Sequence, residues 1–128
     1  MKLEINNKIN LGDQTELVHE VHDCQVVEKG ESLYITYINS EKEKVVIKCQ
    51  EQELTMTRYS NPKSIMRFHS EFPALVAIPT PLGIQQLKTE TSHFMTHWDD
   101  QRVRIDYDLK QAETDALFAA YELELKWY

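Results

Sequence analysis

The chain has 128 residues, of which 41% are hydrophobic, enough for one domain with a real core and too few for two. Lys and Arg number 14 against 21 Asp and Glu, a net charge of -7. A surface of that sign repels phosphate backbones and anionic head groups, which argues against nucleic acid and membranes as partners.

The start, Met1 to Asn7, alternates charged and apolar side chains and lacks the continuous apolar stretch of a signal peptide. No run approaches the roughly 18 apolar residues of a spanning helix, so a cytoplasmic location is expected. The two cysteines, Cys24 and Cys49, are too few for a disulfide framework and read as small hydrophobes in a reducing compartment.

Apolar side chains recur with a period of two from one turn signal to the next. Gly12-Asp13 closes a first strand and Lys29-Gly30 precedes a second run with Leu33, Ile35 and Tyr37 in phase. Asn39-Ser40-Glu41 leads into Val45, Ile47 and Cys49; Leu54 and Met56 follow, with Arg58 in the same phase. Beyond Asn61-Pro62, Met66 and Phe68 flank an outward Arg67, and Thr80-Pro81-Leu82-Gly83 has the residues of a type I turn. Leu87 and Thr91 share a phase in the next strand, which Trp98-Asp99-Asp100 ends. Val103, Ile105, Tyr107 and Leu109 then alternate with charged residues, and only Gln111–Leu117 could make a helical turn. The last stripe is Leu117, Ala119, Tyr121, Leu123, Leu125 and Trp127. Apolar-in, polar-out alternation with short turns describes an antiparallel meander of nine or ten strands. Closing the sheet removes its exposed edges, so the expected fold is all-β, a single closed antiparallel barrel over residues 1–128.

The order of several segments resembles the YwiB-like proteins of Gram-positive bacteria, a family of unknown function with a calycin-like barrel. The segments are Leu33-Tyr34-Ile35-Thr36-Tyr37, Leu54-Thr55-Met56-Thr57-Arg58 with Arg67-Phe68 at a fixed gap, Gly83 to Thr91, and Ile105-Asp106-Tyr107-Asp108-Leu109. The resemblance runs from about Leu17 to the C-terminus. Where the family usually has a glycine two residues after the arginine, this chain has Ser60, which leaves the turn type there open. The resemblance implies a barrel of roughly ten antiparallel strands related to lipocalins and fatty-acid-binding proteins, and it implies no activity.

Few residues point to chemistry. His93 and His97 would lie roughly 13 Å apart on a strand, too far to share one metal, so both read as surface or rim histidines. Asp106 and Asp108 lie out of phase with the apolar stripe and are expected to face solvent near Arg102 and Arg104. Nucleophile elbows, zinc-protease motifs and Cys-x-x-Cys are missing, and three glycines cannot build a phosphate loop. No metal or cofactor is expected.

Parity makes the sharper case. Tyr37, Arg58, Thr91 and Tyr107 share the phases of inward apolar residues, so an interior guanidinium is expected to meet hydroxyl groups. A buried charge needs partners, and either the protein supplies them (backbone carbonyls, Glu90 or Glu20 at a barrel end) or a ligand does. The leading reading is a non-enzymatic barrel with a small amphipathic or anionic ligand inside, bound by Tyr37, Arg58, Thr91 and Tyr107. The alternatives are an interaction module whose acidic outer face and exposed Phe72–Ala77 segment dock a basic protein, and an enzyme using the cavity.

Overall fold

In the computed structural model, which describes all 128 residues, the alternating segments form ten strands. They are β1 (Lys2–Asn10), β2 (Thr15–Lys29), β3 (Ser32–Ile38), β4 (Lys44–Cys49), β5 (Glu53–Arg58), β6 (Ser64–His69), β7 (Ala74–Thr80), β8 (Gly83–His97), β9 (Arg102–Gln111) and β10 (Leu117–Trp127). All pairs are antiparallel, in the order β6-β5-β4-β3-β2-β1-β10-β9-β8-β7. Consecutive strands are therefore paired neighbours except β6 and β7, which end the order, and β1 also pairs with β10. Gln111–Leu117 forms no helix: the chain turns through Ala112–Thr114 and passes Asp115 at a φ of 60°. No helix is long and apolar enough to cross a membrane.

Turn chemistry sets the hairpins. Gly30, at a φ of 63°, sits first in the two-residue turn between Lys29 and Ser32, where an L side chain would be strained. In the β3–β4 turn, Asn39 Oδ1 accepts the backbone N–H groups of Glu41 and Glu43, each at 2.9 Å, an Asx arrangement that holds the loop without glycine.

β2 is long enough to pair twice. Its first half runs along β1 and its second half along β3, so it forms the corner between the two halves of the barrel. Twenty buried hydrophobic residues make one continuous cluster inside, with Leu3, Ile35, Ile47, Leu54, Ile105 and Leu125 fully enclosed. Burial of such aliphatic side chains stabilises the fold by about 1.5–3 kcal/mol each relative to exposure.

Two bulges reset the alternation. On β8 the register shifts between Thr91 and His93, leaving Ser92 as the extra residue. Up to Thr91 the odd-numbered residues face inward; beyond it Phe94 and Thr96 do, and His93 and His97 are exposed. On β10 the shift falls between Leu117 and Ala119, and it corrects the last stripe: Leu117 is exposed, and the inward run begins at Ala119.

The ring is nearly closed. No hydrogen-bonded ladder joins β6 to β7. Side chains bridge that seam instead. Thr89 on β8, fully buried, donates its hydroxyl to the Arg67 carbonyl on β6 at 2.6 Å. Beside it Phe68 packs against Tyr107, with ring centroids 4.5 Å apart.

Candidate functional site

One end of the barrel holds a cavity of about 270 Å³ where β2, β3, β4 and β5 converge. Glu20, Tyr37, Val45, Met56 and Arg58 line its wall, and Asn39 to Glu41 of the β3–β4 turn form its lip. Register explains the meeting: Tyr37 pairs with Val45, and Val45 pairs in turn with Arg58.

Arg58 is at the mouth of the barrel, not inside it, and this corrects the expectation of an interior guanidinium. Its phase matches Leu54 and Met56 as expected, but it is the last residue of β5 and its side chain is 49% exposed. Parity sets which way a side chain starts; at a strand end a long arginine carries its charge out to water. Its Nε stands 3.8 Å from Glu43 Oε1, an ion-pair separation too long for a hydrogen bond. Neither of the partners considered from the sequence, Glu20 or Glu90, is the one the fold brings within that reach. Glu43 is held in place by Asn39, whose Nδ2 donates to Glu43 Oε1 at 3.2 Å. The asparagine and glutamate spaced four apart across a turn were the sequence signal for this partner.

Tyr37 is inside, as expected, and only 8% exposed. His22 stacks on its ring at 4.7 Å, while His22 Nε2 also meets Glu20 Oε1 at 3.1 Å. Burial pushes the Tyr37 hydroxyl up to about 12, Glu20 adds to the rise and Arg58 opposes it. The phenol is therefore neutral at physiological pH, able both to donate and to accept a hydrogen bond.

Thr91 and Tyr107 do not line this cavity. They pair with each other across β8 and β9 in the core. Tyr107 lies between Phe68 and Tyr121, stacked on the latter at 4.7 Å with the rings 6° from parallel. Burial drives its hydroxyl far above the ordinary tyrosine value. Thr91 Oγ1 is buried with no hydrogen-bond partner. The four candidates thus divide into two at a mouth, Tyr37 and Arg58, and two in packed interior, Thr91 and Tyr107.

On the outer face, Arg104 bonds Asp106 at 3.2 Å and Glu122 at 3.0 Å, the solvated network expected of that strand. Cys24 and Cys49 are free and buried, and burial pushes the Cys49 thiol up to about 12, so neither behaves as a ready thiolate.

The model of a domain of unknown function, DUF1934, matches residues 3–125. The crystal structure of the ywiB protein from Bacillus subtilis has the same fold, with a TM-score of 0.80 at 19% identity over 97% of this chain and 87% of that one. No curated protein matches. The barrel that the YwiB-like segments implied is present, and the protein belongs to the DUF1934 family.

Proposed function

We propose that the protein is a binding protein that takes a small amphipathic acid at the mouth cavity, in a reducing, cytoplasmic setting consistent with its two free thiols. The observation that carries this reading is the pairing of Tyr37 and Arg58 on one 270 Å³ cavity. A largely buried phenol opens there beside a guanidinium whose nearest carboxylate is too distant for a hydrogen bond. Together they supply a neutral donor and a charged fork, the combination that recognises a carboxylate. Val45 and Met56 offer the apolar wall for a short hydrocarbon tail. The densely filled core below favours a short ligand held at the rim over a long chain threaded through the barrel.

Docking of a basic protein on the acidic exterior is less well supported, because many outer carboxylates already have cations. Asp23 pairs with Lys2, Glu90 with Lys110, Asp115 with Lys88, and Glu122 with Lys8 and Arg104.

The test is displacement of a fluorescent fatty acid by octanoate, with Arg58→Met and Tyr37→Phe as variants. Each variant is expected to weaken octanoate by about tenfold, the value of one charge-assisted hydrogen bond. Failure of the unaltered protein to bind at millimolar concentration, or equal binding by both variants, overturns the reading.

A further inference from the structure

The opposite end of the barrel carries a second cavity, of about 240 Å³, with different chemistry. Four residues back along β3 from Tyr37, Leu33 forms its floor with Val26 and the indoles of Trp98 and Trp127. Glu28, just before the Gly30 turn, and Glu31, the second residue of that turn, form its rim. No lysine, arginine or histidine lines it. Neither rim carboxylate has a basic partner within 4 Å, whereas the outer-face carboxylates Glu90 and Glu122 do.

The aromatic wall is built into the backbone. Gln101 donates its N–H to the Trp98 carbonyl at 3.1 Å, closing the β8–β9 turn, and Trp127 donates to the Gln101 carbonyl at 3.1 Å, tying that turn to β10. Gln101 holds a φ of 53° to make this possible. The two indoles end with centroids 6.4 Å apart and planes inclined by 54°. Trp127 is almost fully enclosed while Trp98 is partly open to solvent.

We propose that this cavity is a binding site for a small alkylammonium cation. An indole face attracts a cation through its quadrupole, most strongly where water is partly excluded, and two inclined indoles with two unpaired carboxylates attract it from several sides. An anion meets two like charges there and no donor cation. A neutral apolar ligand gains only the hydrophobic floor. The site is independent of the mouth cavity, from which it is separated by the filled core.

Trp98 and Trp127 are the only tryptophans in the chain, so intrinsic indole fluorescence reads this cavity alone. The whole protein is titrated at constant ionic strength with choline and, in parallel, with its uncharged isostere 3,3-dimethylbutan-1-ol. Choline is expected to give a saturable change in emission, with an affinity about tenfold above that of the alcohol. The double variant Glu28→Gln, Glu31→Gln, altered only at exposed positions, is expected to bind choline about tenfold more weakly while melting like the parent. Arg58→Met is expected to leave choline binding unchanged. Absence of a saturable change, equal binding of choline and alcohol, or indifference to the double variant overturns the proposal.

Discussion

Replacing Thr89 by valine tests how the barrel is held shut. The substitution keeps the β-branched shape and nearly the volume, so the change is chiefly the loss of the hydroxyl. That hydroxyl is fully buried and donates at 2.6 Å to the Arg67 carbonyl, across the one junction that has no strand ladder. Valine removes this donor from the Arg67 carbonyl, and losing a donor to a part-buried acceptor costs about 1–3 kcal/mol. An unfolding entropy of about 2.1 cal/mol/K per residue, over 128 residues, converts 2 kcal/mol into a fall in Tm of about 7 °C. The assay is thermal unfolding followed by circular dichroism, with Thr36→Val on the outward face of β3 as a control expected to stay within about 0.5 kcal/mol. Thr89→Val and Thr36→Val melting within 1 °C of each other would show that the seam does not depend on this bond, and the account of closure would fail.

Truncating Tyr107 to alanine empties the space between Phe68 and Tyr121 and is expected to cost about 3–5 kcal/mol by urea unfolding, against less than about 1 kcal/mol for Asp106→Ala on the exposed face. Because Arg58 is half exposed and only loosely paired, Arg58→Met is expected to change stability by less than about 1 kcal/mol in the same assay; a larger loss would place the guanidinium back inside. Burial pushes Tyr37 up from the ordinary tyrosine value of about 10 to about 12, so the folded state holds the proton more tightly. Its contribution is complete below pH 10 and is lost as the pH rises to about 12, which denaturation curves across that window will show as falling stability. Cys49, with no exposed surface and a thiol near 12, is expected to react with a disulfide reagent at pH 8 only after unfolding; prompt modification would contradict its placement.

Sequence alternation alone was enough to identify the strands and most inward faces. A side chain's face is a local property of an extended backbone, so Leu33, Ile35, Tyr37, Val103, Ile105 and Tyr107 could be placed one residue at a time. Turn residues are equally local: Gly30 and Asn39 act through their own φ and their own hydrogen bonds. The rest depended on strands far apart in the chain. Whether an inward residue lies at the centre or the rim follows from register, and register put Arg58 at the mouth opposite Val45 and within reach of Glu43. The bulges at Ser92 and near Leu117 reversed or ended alternation because neighbouring strands had to stay paired around a curved sheet. The meeting of Trp98 with Trp127 came with the pairing of β9 and β10, and that of Thr89 with Arg67 only with closure, since both join residues whose own neighbours carry no trace of the contact.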